Sequence, residues 1–135
     1  INMKYLFVLV TSILFFFPNK EIDLGKGLKA ELSSFQRVQP DSIQVKFNEC
    51  LDWSIKPSQI EGILDVMQEA NITEYMNYCY FYPCYYKLSG TYKGEVCDIE
   101  IRSTSSVVIQ TELNTYYYIM THDDPRFIVA CDCCE

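Results

Sequence analysis

The stretch YKLSGTYKGEVCDIEIR, residues 86–102, decides the fold. Its centre, Lys93-Gly94, has the length and residue type of a two-residue hairpin loop. With these two residues as the loop, Tyr92 faces Glu95, Gly90 faces Cys97, Leu88 faces Ile99 and Tyr86 faces Ile101. On that register Tyr86, Leu88, Cys97, Ile99 and Ile101 share one face. Lys87, Ser89, Asp98, Glu100 and Arg102 share the other. A one-residue slip would mix the apolar and polar sets, so the alternation selects the register.

Outward from this hairpin the same period of two recurs. Val107 to Glu112 reads as a strand, Leu113-Asn114-Thr115 as a turn, Tyr116 to Thr121 as a returning strand, and Phe127 to Cys131 as a last short one. Upstream, Ile43, Val45 and Phe47 alternate with polar residues from Ser42, and Leu51, Trp53 and Ile55 continue the rhythm. Between these regions the period changes. Ile60, Ile63, Leu64 and Met67 lie on one helical stripe. Pro57 suits a first turn, Ser58 and Glu61 have capping-box spacing, and Asn71 is a reasonable stop. Gly62 weakens such a helix by about 1 kcal/mol relative to Ala. Residues 20–41 read as a polar, extended lead-in with a short helix near Leu28 to Phe35. The expected fold is α+β: one amphipathic helix packed on a meandering antiparallel β-sheet, stapled by disulfides, within residues 42–135.

The N-terminal end reads as an address. Lys4 precedes an almost unbroken apolar run from Tyr5 to Phe17. That run is shorter than the roughly 20 residues a membrane-crossing helix needs, and it matches the apolar region of a signal peptide. No small-residue cleavage site follows it. Residues 1–19 are therefore expected to be a signal peptide or a short N-terminal anchor, without a stable membrane span, and the rest of the chain to be periplasmic or extracellular.

Composition narrows the partners. The 135 residues carry 18 acids against 11 bases, a net charge of −7. Phosphate contacts need clustered Lys and Arg, so a nucleic-acid role is excluded. Seven cysteines, at 50, 79, 84, 97, 131, 133 and 134, would pair in an oxidising compartment. Seven is odd, so at least one stays free or pairs between molecules. Position favours Cys79 with Cys84, flanking Pro83. It also favours a terminal group of Cys131, Cys133 and Cys134 stapled to Cys50 or Cys97. A zinc site from these thiols and His122 lacks the usual paired spacing. No metal and no cofactor is expected.

Catalytic signals are weak. His122-Asp123-Asp124 is where a histidine meets carboxylates, but sequence neighbours point apart and no nucleophile motif accompanies them. Asp98 and Glu100 are explained by cross-strand pairing with Lys87 and Arg102. The aromatic run from Tyr75 to Tyr86, and Tyr116 to Tyr118, puts rings on both parities. Either some rings form an interface, or the sheet is covered on both faces. Asn71-Ile72-Thr73 is a glycosylation sequon.

The expected function is that of a small exported acidic protein binding another protein, in the manner of an inhibitor or immunity protein. Its partner would be a basic toxin or hydrolase, and Tyr80, Tyr82, Tyr85, Asp98 and Glu100 the contact residues. The alternatives are a carbohydrate-binding module using exposed tyrosines and an enzyme using His122.

Overall fold

The structure is a computed structural model and describes residues 20–38, 50, 52–79 and 83–131. The strand expected at Ile43, Val45 and Phe47, the N-terminal segment 1–19, Tyr80, Tyr82, Cys133 and Cys134 lie outside the described residues. Among those that are described, eight strands form one antiparallel sheet curved into a half-barrel. They are β1 (Glu21–Gly25), β2 (Leu28–Glu31), β3 (Gln36–Val38), β4 (Gln68–Ala70), β5 (Tyr85–Tyr92), β6 (Glu95–Arg102), β7 (Ser106–Gln110) and β8 (Thr115–Ile119). Two short helices, α1 (Pro57–Ile60) and α2 (Ile72–Tyr78), accompany the sheet. The sheet runs β1-β2-β5-β6-β7-β8-β4, and β3 also pairs with β5.

The β5–β6 hairpin has the register its alternation implies. Tyr86 pairs with Ile101, Leu88 with Ile99, Gly90 with Cys97 and Tyr92 with Glu95. Lys93 and Gly94 both take positive φ, +51° and +78°, as a tight primed turn requires. The inward set is buried throughout. The outer edge of β5 is long enough to receive two partners, β2 near its end and β3 near its start. Gly90 makes the β2 contact possible: a Cβ there would sit 2.0 Å from the Lys29 carbonyl oxygen. Leu28 to Phe35, expected as a short helix, is instead strand β2 followed by a 3-10 turn at Leu32–Ser34.

The single amphipathic helix expected from Pro57 to Asn71 is not what forms. Helix α1 is one turn long and stops before Gly62, which takes a left-handed φ of +69°. A 3-10 turn at Ile63–Val66 and strand β4 follow. Ile60, Ile63, Leu64 and Met67 are all buried, so the apolar stripe marked core positions correctly. Tertiary bonds decide the winding. Gly62 N donates to Asp23 O of β1 at 2.9 Å, and Lys26 Nζ donates to Met67 O at 3.0 Å. The segment thus ties β1, at one end of the sheet, to β4 at the other. An unbroken helix would leave β8 without β4. Asn71, expected as a stop, caps α2 at its start: its side chain accepts from Glu74 N at 2.9 Å.

The large core lies on the concave face, around Leu24, Leu28, Leu64, Leu88, Ile99, Ile101 and Ile109. Trp53 and Ile55 close it; Trp53 stands edge-on to Tyr86, and Phe35 stacks on the same ring. A small second cluster, Ala70, Ile119 and Cys131, sits elsewhere on the sheet, with Tyr75, Cys79 and Tyr117 against it.

The last predicted strand, residues 127–131, is an irregular segment. Ile128 N donates to Ser103 O of the β6–β7 turn at 2.8 Å, and Cys131 N donates to Met120 O, just past β8, at 3.1 Å. Ser105 Oγ donates to Val129 O at 2.9 Å. The bonds of Ile128 and Val129 satisfy polar groups of a β6–β7 turn whose residues, Ser103, Thr104 and Ser105, are fully buried.

The disulfides correct the expected pairing. Cys50 bonds to Cys84, and Cys79 to Cys131. Cys79 and Cys84 are close in sequence, but they anchor different elements to different partners. The C-terminal segment is stapled, as expected, though to Cys79 and not to Cys50 or Cys97. Cys97 is a buried free thiol. Burial, with Asp98 beside it, pushes its pKa up to about 11.

Candidate functional site

The outward parity of β5 and β6 builds the candidate surface. Strand alternation that sends Tyr86, Leu88, Ile99 and Ile101 inward leaves Tyr85, Lys87, Asp98, Glu100 and Arg102 on the convex face. Asp98 is exposed, opposite Ser89 on one side and Gln110 on the other. Glu100 is half-buried opposite Lys87 and Val108. Tyr85 is half-buried opposite Arg102.

Arg102 organises this face. Only 8% of it is exposed, so its charge needs partners. Its guanidinium forms an ion pair with Glu100 and lies 4.9 Å from the centre of the Tyr85 ring. Its strand face follows from the alternation but this central place does not; a cation at the end of an aromatic-flanked strand was the available signal. Tyr75 of α2 reaches the same neighbourhood. Its ring stacks on Tyr117 at 4.7 Å, and burial raises its phenol pKa against the opposing influence of Arg102. The structure therefore brings Tyr85 and Glu100 together through Arg102. Asp98 lies two residues along the same face.

Most described tyrosines pack on one another. Tyr92 and Tyr118 share a hydroxyl hydrogen bond in the core, and burial with that bond raises the Tyr118 pKa. Tyr116 stands edge-on to Tyr92. Lys93 covers the Tyr116 ring and Lys26 the Tyr118 ring. Among the described tyrosines Tyr78 alone is exposed. Both parities of the 116–118 run are thus used: Tyr118 faces the concave core, and Tyr117 is covered by α2.

His122 is exposed, and its Nδ1 lies 3.3 Å from the hydroxyl of its neighbour Thr121. Asp124 is committed elsewhere. It accepts from Arg126 Nε at 2.9 Å and from a terminal guanidinium nitrogen at 2.7 Å, and this lowers its pKa. Arg126 in turn donates to Gln59 O, and its carbonyl accepts from Trp53 Nε1. The turn is a structural clasp between the C-terminal segment and α1. The sulfurs of Cys79, Cys84 and Cys131 are consumed in disulfides. Among the described residues no three His, Cys, Asp or Glu side chains gather as a metal ion would require.

Two open clefts flank these features. One, of about 620 Å³, lies where β4 leaves β8 and is lined by residues 69–72 and 115–117. The other, of about 500 Å³, lies along residues 123–130. No described helix is long and apolar enough to cross a membrane. No protein-family model, curated protein or solved structure matches this chain.

Proposed function

We propose that this chain is a small exported acidic protein that binds another protein, in the manner of an inhibitor or immunity protein, in the periplasm or outside the cell. The two disulfides support an oxidising compartment, where such bonds persist. The net charge of −7 favours a basic partner and would steer its approach. The observation that carries the reading is the convex face of β5 and β6. There a half-buried tyrosine, a nearly buried arginine and two carboxylates adjoin without a covering element over Asp98. Buried aromatic and arginine groups flanked by polar ones are what protein interfaces use. Tyr85, Asp98 and Glu100 are the contact residues on this reading, with Tyr80 and Tyr82 beside them in sequence.

Affinity capture tests it. The oxidised chain, immobilised and exposed to the source organism's exported proteins, should retain a basic protein at low salt and release it at high salt. Retention of no protein would overturn the reading, as would a partner that binds Asp98→Lys as tightly as the parent. Glycan-array binding without a protein partner would turn it towards the carbohydrate alternative.

A further inference from the structure

The charge of this molecule is segregated by its topology. Residues 57–79 and 103–125 contain seven carboxylates and no lysine or arginine. Seven is the chain's whole net charge; the remaining residues balance at eleven acids and eleven bases. These two segments are far apart in sequence, but β4 pairs with β8 and Tyr75 of α2 stacks on Tyr117. At that end of the sheet, β4, α2 and the β7–β8 loop carry Glu69, Glu74 and Glu112, whereas Glu61 and Asp65 lie toward β1 and Asp123 and Asp124 lie in the turn before Arg126.

The same end carries the exposed apolar surface. Of six large apolar side chains left exposed among the described residues, five lie in these two segments: Val66, Ile72, Met76, Tyr78 and Leu113. Ile72 and Met76 are one helical turn apart on α2, 58% and 70% exposed. Ile72 also lines the 620 Å³ cleft with Glu69, and Glu112 and Leu113 stand in the loop that leads to Thr115 on its other wall. The bases that reach this end from elsewhere are engaged. Lys26 and Lys93 lie over Tyr118 and Tyr116, Arg102 is paired with Glu100, and Arg126 with Asp124.

We infer that the β4–α2–β8 end is the docking ground for a basic amphipathic segment of a partner protein. Its apolar side chains would cover Ile72, Met76 and Leu113, and its Lys or Arg side chains would face Glu69 and Glu112. Charge complementarity selects this occupant: a second copy of this chain would set carboxylates against carboxylates. The inference rests on the protein-binding reading and moves its centre from the β5–β6 face, in the middle of the sheet, to its β4 end.

The test uses the oxidised full chain and a helical probe peptide with one leucine face and one lysine face, followed by fluorescence anisotropy. The probe should bind, more weakly as salt rises. Ile72→Ser with Met76→Ser should weaken it roughly tenfold, as should Glu69→Lys with Glu112→Lys, while Glu21→Gln with Glu31→Gln, exposed on β1 and β2, leaves it within about twofold; Asp98→Asn with Glu100→Gln probes the β5–β6 face in parallel. Circular dichroism of each variant, matched to the parent, separates lost contact from lost folding. Equal affinity for polylysine would overturn the inference, because the apolar contacts would then contribute nothing. Self-association through Ile72 and Met76 in sedimentation would overturn it in favour of a dimer. Loss of binding in the Asp98 and Glu100 variant alone would overturn it and leave the broader reading standing. Failure of both the probe and the affinity capture would remove the broader reading too.

Discussion

The two apolar clusters on this sheet are held by different means. The concave cluster draws on β1, β2, β5, β6, β7 and β8, and is closed by Trp53, Ile55 and Phe35. Its contacts are many and its interior residues, such as Leu88, Ile99 and Ile101, are completely buried. The second cluster has three buried residues, Ala70, Ile119 and Cys131, under a seven-residue helix. An isolated helix of that length is unstable in water. The C-terminal segment also has its backbone bonds and Phe127 in the large core, whereas α2 is held by the Cys79–Cys131 bond, which closes a separation of 52 residues, together with the Tyr75–Tyr117 stack. One cluster supports the domain through burial. The other is a cap whose attachment depends on a covalent bond.

The contrast can be broken first at the concave cluster. Ile99→Ala should lower the unfolding free energy by about 2–5 kcal/mol, read as a lower denaturant midpoint for the whole domain. Loss of structure confined to α2 would contradict the assignment of global support to this cluster. Replacing Cys79 and Cys131 together by Ser should cost about 2–4 kcal/mol. Hydrogen exchange should then accelerate in α2 and residues 127–131 while the β5–β6 amides stay protected. Uniform acceleration would mean that the cap is integral to the core.

A third prediction concerns the concave cluster's thiol. In the unfolded chain Cys97 ionises near 9.0, and in the native state near 11. Between these values unfolding releases a proton, so rising pH favours the unfolded state. The contribution is intact below pH 9 and falls by about 2–3 kcal/mol on reaching pH 11. Cys97→Ala should flatten that part of the stability profile in equilibrium unfolding. A residual slope of the same sign is expected from Tyr75 and Tyr118, whose pKa values burial also raises. The smallest effect belongs to the cap: Asn71→Ala should cost about 1 kcal/mol and fray α2, seen as reduced helicity with an unchanged β5–β6 hairpin.

The hairpin at residues 86–102 was legible because its partners are adjacent in sequence and its parity rule admits one register. The stripe Ile60, Ile63, Leu64 and Met67 was legible as core but not as conformation. Period alone cannot register that Gly62 N finds Asp23 O, nor that Lys26 reaches Met67 O. The alternation Ile22, Leu24, Leu28 and Ala30 around Gly25-Lys26-Gly27 was a hairpin signal hidden in a polar stretch. Tyr85, Asp98 and Glu100 were placed on one face by parity, whereas the central position of Arg102 depended on Tyr75 arriving from α2.

Alternation and turn chemistry, acting between neighbours a few residues apart, were enough to specify the antiparallel hairpin, its inward side chains and the acidic balance of the chain. The joining of Cys79 to Cys131, and the gathering of an acidic, apolar end, accompany the pairing of β4 with β8. Such pairings bring together residues separated by about fifty positions, so their geometry is set by the packed sheet and leaves no periodic trace in the chain.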